Sequence, residues 1–189
     1  MTTKKNPEPN RNMKLSDYLI LAGIGTLKEP FENLLEELPR PKQVCGKAVP
    51  ETLDDLTFGQ LIRLQGIKKV QDLFTVPFEV VLNLNENQVM EEKAVNALSF
   101  CGWVLREVKR INKLFESTNA KPTSEELMAG AEKLSFGPFG LIDYYALRMG
   151  IDDHDKVLDV PWVRIYKCMD IDAKKQKYER KLREIYAKK

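Results

Sequence analysis

The spacing of apolar residues along the chain predicts helices almost throughout. Apolar positions recur in steps of three and four, as in Phe31, Leu34, Leu35 and Leu38, which is typical of one buried helix face. No alternation of period two runs beyond four residues, and a strand near 14–22 is the one alternative to helix. We therefore predict an all-α fold, an irregular helical bundle. The predicted helices cover 30–38, 58–65, 70–75, 77–84, 86–116, 141–149, 153–160 and 162–187, with a further one begun by a capping box at Thr123 and Glu126.

The predicted helix 86–116 is the longest uninterrupted apolar pattern in the chain. It contains no proline, and Gly102 is its only weak point. At 1.5 Å per residue it would be about 45 Å long, whereas a compact body of this size would be about 35 Å across. We expect this central helix to bend, to break near Gly102, or to belong to an elongated bundle.

Prolines divide the first part of the chain from the rest. Residues 1–12 are polar and basic and are predicted to form a disordered tail. Pro39, Pro41 and Pro50 predict an extended linker. We therefore expect residues 13–55 to form an N-terminal arm that docks on the main body or on a neighbouring subunit, and residues 56–189 to form a helical domain. In that domain Thr57 is the expected N-cap of helix 58–65, and Pro161 is expected to open the last helix.

The composition is that of a soluble globular protein. Of 189 residues, 43% are hydrophobic and 31% are charged. No apolar run approaches the roughly 20 residues that cross a bilayer, and the polar N-terminus does not resemble a secretory signal. Cys45, Cys101 and Cys168 lie far apart, which favours reduced thiols in a cytoplasmic protein. These features predict a protein that has no membrane partner.

Charge is distributed unevenly along the chain. Residues 173–189 contain eight Lys or Arg and two Glu, a charge of +6, so the preceding residues carry −4 of the total of +2. An acidic body with a basic tail favours self-association or an acidic partner. Binding of nucleic acid by the tail is a less favoured alternative, because no base-reading motif accompanies it. The predicted basic face consists of Lys174, Lys175, Lys177, Arg180, Lys181 and Arg183.

The sequence offers little for catalysis. Its one histidine, His154, lies among Asp152, Asp153 and Asp155 at a predicted helix start. Acidic residues are favoured at the N-terminus of a helix, so we predict that these residues are solvated and that Asp152 is the N-cap. A hard-cation site is the alternative, although the glycine and glutamate of a calcium loop are missing. Phosphate-binding glycine motifs and a set of zinc ligands are also missing. We predict no enzymatic activity, no cofactor, and no catalytic or metal-binding residues.

A row of aromatic and methionine side chains marks a candidate binding face. Trp162, Tyr166 and Met169 lie at i, i+4 and i+7, which is typical either of core packing or of a groove for a partner helix. The row is preceded by further aromatic and methionine side chains that are expected to line the same groove: Phe136, Phe139, Tyr144, Tyr145 and Met149. The predicted partner-binding residues are Trp162, Tyr166, Met169, Tyr145, Met149, Tyr178 and Leu182.

Several short motifs resemble those of small helical proteins encoded in the tail-gene region of bacteriophages and prophages of Bacteroides-type bacteria. The likeness covers about residues 54–186. It rests on Leu56-Thr-Phe-Gly-Gln-Leu-Ile-x-Leu64, Phe139-Gly-Leu-Ile-Asp-Tyr144, Val157-Leu-Asp-Val-Pro-Trp162, Tyr166-Lys167, Lys177-Tyr-x-Arg180 and Ile185.

The resemblance implies a tail assembly chaperone, an all-helical, non-enzymatic protein that covers amphipathic helices of a tape-measure-type protein in the host cytoplasm. Its partners would be other phage structural or assembly proteins. A virion component, such as a connector, a ring or an internal packaged protein, is the alternative, and the proline-bracketed arm favours it. A nucleic-acid-binding protein is the third class, and homo-oligomerisation stays open.

Overall fold

The computed structural model describes residues 12–22, 35 and 37–187, and in them the predicted all-α fold is confirmed. One two-stranded antiparallel sheet, β1 (Gln43–Val44) with β2 (Lys47–Ala48), accompanies the helices. The helices are α1 (Leu15–Ala22), α2 (Phe58–Gln65), α3 (Val70–Leu73), α4 (Val76–Leu82), α5 (Glu86–Met90), α6 (Ala94–Ser117), α7 (Ser124–Met128), α8 (Gly137–Met149), α9 (Asp155–Leu158) and α10 (Trp162–Ala187), with a 3-10 turn at Ala131–Lys133.

The chain divides into two compact units whose boundaries differ from the predicted ones. Unit 1 comprises Met1–Leu53 and Arg63–Lys109, and unit 2 comprises Asp54–Ile62 and Arg110–Lys189. The amide of Leu15 donates to the carbonyl of Glu92 (2.9 Å), and that of Ala94 donates to the carbonyl of Met13 (2.8 Å). These backbone bonds build the start of the predicted arm into unit 1. The predicted tail, up to residue 11, and most of the predicted helix 30–38 lie outside the described residues.

The predicted extended linker contains a β-hairpin. Its two-residue turn, Cys45 and Gly46, has φ of +48° and +75°, and positive φ at both turn positions matches the twist of a tight hairpin. The ammonium group of Lys47 donates to the carbonyls of Leu82 (2.6 Å) and Asn83 (3.0 Å) at the end of α4. The hairpin therefore belongs to unit 1 and does not stand away from it.

The predicted helix 86–116 is two helices, of which the second, α6, is the expected long central helix, and of the three expected alternatives a break near Gly102 is not observed. Helix α5 starts at a capping box in which Asn85 and Gln88 satisfy each other's backbone amides. It ends at Met90, and α6 begins at Ala94. Between the two helices Lys93 forms an antiparallel β-bridge with Lys14. Around Gly102, by contrast, α6 is unbroken.

The core of unit 1 is built on aromatic rings from α4 and α6. The ring centroids of Phe78 and Phe100 are 4.7 Å apart, and those of Phe100 and Trp103 are 5.7 Å apart. All three rings are buried, as are the aliphatic side chains of α3 and α5 that point inward. Such ring pairs add to the stability gained by burial alone.

Unit 2 joins chain segments about a hundred residues apart. Thr57 and Gln60 form a capping box at the start of α2, which confirms Thr57 as an N-cap. Just before it, the carbonyl of Leu56 accepts the amide of Trp162 (3.2 Å), and the amide of Phe58 donates to Val160 (2.8 Å). Pro161 precedes α10 as expected. These bonds fix the start of the last helix.

Two predicted helix starts in unit 2 are wrong. Helix α8 begins at Gly137, four residues before the predicted start, with Pro138 in its first turn. Helix α9 is preceded by His154 and not capped by Asp152. The carboxylate of Asp152 lies 3.3 Å from the ammonium group of Lys156, so it is engaged in an ion pair.

Candidate protein-binding surface

The first half of α10 forms the core of unit 2. Trp162 is 1% exposed, and its ring centroid lies 6.0 Å from that of Phe115. Tyr145 on α8 is 2% exposed. These two predicted partner-binding residues therefore present almost no surface in this conformation, and their binding role stays a prediction. They bury apolar surface within unit 2 instead, which contributes about 1.5–3 kcal/mol for each large apolar side chain.

The remaining residues of the predicted row lie at the edge of this core. Tyr166 is half-buried and meets the ring of Phe115 edge-on at 6.0 Å, and Met169 is also half-buried. Met149, at the end of α8, is exposed. These three side chains have surface available to a partner, and their role as binding residues stays a prediction.

The second half of α10 lies on the surface of unit 2. From residue 171 onward no described side chain is buried, and Tyr178 is 66% exposed. Ile171 and Ile185 are exposed as well, and Leu182 is half-buried. The apolar spacing there is that of a packing stripe, yet the described part of the chain does not cover it. Tyr178 and Leu182 are thus placed where a binding surface requires them.

Three of the six basic-face residues form ion pairs within unit 2. Arg180 donates to the carboxylate of Glu126 (3.1 Å) and to the carbonyl of Lys121 (3.0 Å). Lys174 pairs with Asp170 one turn earlier (2.7 Å), and this partner raises the pKa of Lys174. Arg183 lies 3.6 Å from Glu179. Lys175, Lys177 and Lys181 are exposed.

A hydrogen-bonded cluster attaches α8 to the middle of α10. The carboxylate of Asp172 accepts the hydroxyl of Tyr144 and is paired with Arg148. Burial and the bond to this carboxylate raise the pKa of Tyr144 to about 12. The bonds from Tyr144 and Arg148 lower the pKa of Asp172. The cluster thus holds α10 at the point where it leaves the core.

A second exposed apolar surface extends over residues 127–139. Met128 is 81% exposed, Phe136 72%, and Leu134 and Phe139 also lie open to solvent. We expected the two phenylalanines to line a groove, but sequence analysis did not single out Met128 and Leu134. The sequence feature that indicates their exposure is Gly130, whose φ of +89° ends the helical region and limits α7 to five residues. A helix that short cannot bury a continuous stripe.

His154 is in contact with α8. Its Nε2 lies 3.4 Å from the carboxylate of Asp143, and its ring meets that of Phe139 edge-on at 5.1 Å. The carboxylate of the adjacent Asp153 accepts the amide of Asp155 (3.0 Å), as in a local turn. Within the described ranges no three His, Cys, Asp or Glu side chains come together as metal ligands would.

The cysteines are free and shielded. Burial raises the pKa of Cys101 well above its ordinary value, and its thiol lies 3.3 Å from the carbonyl of Leu73. Burial, together with the nearby Glu92, raises the pKa of Cys45 to about 11. Both thiols are therefore kept protonated and weakly nucleophilic.

Among the helices that the structure describes, none has the length and apolarity to cross a membrane.

Comparison of the chain with protein-family models, with curated proteins and with solved structures gives no match.

Proposed function

We propose that this chain is a non-enzymatic assembly chaperone that binds amphipathic helices of a partner protein through unit 2. One observation carries the proposal. Eleven of the twelve large apolar side chains exposed in the described residues lie between Leu127 and Tyr186, and the twelfth, Ile20, lies in unit 1. Exposed apolar side chains that are concentrated in one unit indicate that this unit binds another protein.

The chemistry of these exposed side chains favours a helix as the partner. They include phenylalanine, methionine, leucine and isoleucine, which adapt to the apolar face of a helix. The side chains alternate with charged residues, so an interface formed here would be mixed and reversible, as a chaperone requires. Together with the resemblance of residues 54–186 to phage tail-region proteins, this supports a tape-measure-type protein as the partner.

A purified tape-measure-type protein from the same phage or prophage tests the proposal. Light scattering of that protein should fall when the chain is added in equal amount. Replacing Leu134 and Phe136 by serine should abolish the protection, because both side chains are exposed and neither supports the fold. Ile20→Ser is the matched control, since it removes an equally exposed apolar side chain from unit 1 and should leave the protection intact.

The virion-component alternative predicts a different result. A chaperone leaves once the tail is assembled, so purified particles should contain none of this chain by mass spectrometry. A fixed copy number in purified particles would support the structural role instead. The arm that favoured that role is, in its described residues, bonded to unit 1, which removes part of the argument for it.

A further inference from the structure

The exposed half of α10 carries an apolar line. Ile171, Tyr178 and Ile185 are spaced by seven residues, which is close to two helical turns, so they follow one another along one side of the helix. Arg180, which contacts Glu126 of unit 2, lies about 200° around the helix from Tyr178. The apolar line therefore points away from the contact that holds this half of the helix.

A basic row runs beside this line. Lys174, Lys177 and Lys181 are separated by three and four residues, so they are neighbours on the helix surface. Lys174 and Lys181 flank Tyr178 by four and three positions. Within the part of the chain that the structure describes, Lys177 and Lys181 form no hydrogen bond or ion pair. Two of the three cations are thus available to an anionic group on a partner.

The other edge of the line also carries an exposed cation, Lys175, which lies four residues after Ile171 and three before Tyr178. There Glu179 and Arg183 form an ion pair with each other at 3.6 Å. A partner on the apolar line consequently meets a net positive field. Like charges would repel the same helix of a second copy, whereas carboxylates would be attracted.

We propose that the surface formed by Ile171, Tyr178, Ile185 and the row Lys174, Lys177 and Lys181 binds an amphipathic helix whose apolar stripe is flanked by Asp and Glu. The proposal rests on the proposed function and adds the chemistry of the partner helix. The apolar line disfavours nucleic acid, because a phosphate backbone offers those three side chains no apolar contact.

Two synthetic helical peptides test this charge preference with the full chain. Both have the same leucine stripe, and the polar face is Glu in one and Lys in the other. We expect the acidic peptide to bind about tenfold or more tightly than the basic one, with an affinity that falls as salt is added. Replacing Lys174, Lys177 and Lys181 by Glu should reverse the preference. The matched control replaces Lys42, Lys68 and Lys69, which are exposed in unit 1, by Glu. This control changes the net charge by the same amount as the first variant and should leave the preference for the acidic peptide intact.

A second variant tests the apolar line. Ile171→Ser, Tyr178→Ser and Ile185→Ser together should abolish binding of the acidic peptide, while circular dichroism retains the helical signal because all three side chains are exposed.

Four results would overturn the inference, and one of them spares the proposed function. Equal binding of the two peptides would exclude the charge preference but leave helix binding in place. Binding of neither peptide, together with no protection of the tape-measure-type protein, would exclude both proposals. Tighter binding of a single-stranded DNA oligonucleotide would assign the lysine row to nucleic acid. A dimer in light scattering that the serine variant dissociates would assign the surface to a second copy.

Discussion

Gly102 allows two backbones in unit 1 to approach each other closely. A Cβ atom at this position would lie 1.9 Å from the carbonyl oxygen of Leu35. The same carbonyl accepts the guanidinium of Arg106 one turn later (3.1 Å), and Arg106 also donates to Leu38 (2.7 Å). The glycine that looks like a weak point in the sequence is thus required for a tertiary contact of α6.

Gly102→Ala should destabilise the protein by about 2 kcal/mol or more. The added methyl group must displace the backbone at Leu35, although alanine is the better helix former by about 1 kcal/mol. Chemical denaturation measures the difference in the free energy of unfolding. Lys113→Ala, at an exposed position of the same helix, is the control and should change stability little. A more stable Gly102→Ala variant would contradict the close approach.

Glu92 joins the β-hairpin to the break between α5 and α6. Its carboxylate accepts the amides of Cys45 and Lys93 and the side chain of Asn96. Burial alone would raise the pKa of Glu92, but these hydrogen bonds together outweigh it and lower the pKa below its ordinary value of 4.5. The ionised form is therefore the one that the fold stabilises.

Glu92→Gln should reduce the free energy of unfolding by about 1–2 kcal/mol at neutral pH, because bonds to a charged acceptor become bonds to a neutral one. A lowered pKa in the folded state gives stability that is present above the ordinary pKa and lost as pH falls through the folded value. The difference between wild type and variant should accordingly shrink below pH 4.5. Denaturation at a series of pH values checks this, and a difference that grows with acidity would refute it.

Two similar capping boxes are expected to contribute differently to the stability of the protein, because one caps a buried helix and the other an exposed helix. Thr57 caps α2, which carries buried Phe58 and Leu61, whereas Thr123 caps α7, in which no residue is buried. Loss of a capping side chain costs a helix about 1 kcal/mol. That cost is transmitted to global stability only where the helix is part of a core.

Thr57→Ala should therefore lower the midpoint of thermal unfolding, and Thr123→Ala should not. The second variant should instead accelerate amide exchange locally within residues 124–129. Calorimetry and hydrogen exchange on the two variants, each the control for the other, separate these outcomes. Equal losses of thermal stability would show that α7 unfolds together with the core.

Local signals predicted helices, and tertiary contacts decided where they end. Thr57 with Gln60 and Pro161 are visible as helix starts because the interactions span a few residues. The break after Met90 is not visible, since Val89, Met90, Ala94 and Ala97 keep the spacing of one helix. At this break Glu92 and Ala94 form backbone hydrogen bonds with Leu15 and Met13, about eighty residues away, in place of the hydrogen bonds of a continuous helix.

The candidate site was predictable in composition but not in burial. Trp162 and Tyr178 both belong to apolar rows on α10, but sixteen residues place them about 160° apart around the helix, and the first is buried whereas the second is exposed. Periodicity defines a face of a helix and leaves open whether the chain covers that face. The ring of Phe115, which itself packs against Phe58, contacts Trp162 and Tyr166 in the first part of α10.

Across the whole molecule the described apolar core is unevenly distributed. Helix α6 has buried side chains from Ala94 to Ile111, whereas residues 119–144 contain no side chain that is buried among those described. Local opening is easiest where few apolar contacts must be broken. The two exposed surfaces of unit 2 therefore lie on its most weakly held backbone.

Hydrogen exchange should follow this distribution. Amides of residues 119–136 and 174–187 should exchange with solvent faster than those of residues 97–111 in α6, by orders of magnitude in protection. Adding the acidic helical peptide should slow exchange in 174–187. The amides of α6 serve as the internal reference, because their exchange should not respond to the peptide.

The long-range bonding of Leu56 and Phe58 to Val160 and Trp162 affects the order of events on the ribosome. All residues of unit 1 are present once Lys109 has been synthesised. At that stage unit 2 still lacks Pro161, which forms a β-bridge with Thr57 in its first segment. Pairings between distant segments form slowly, and chains fold largely from the N-terminus during synthesis. Phe58 and Phe115 must consequently wait until Trp162 has been synthesised, so we expect translation products that end before this residue to expose both rings to solvent and to chaperones.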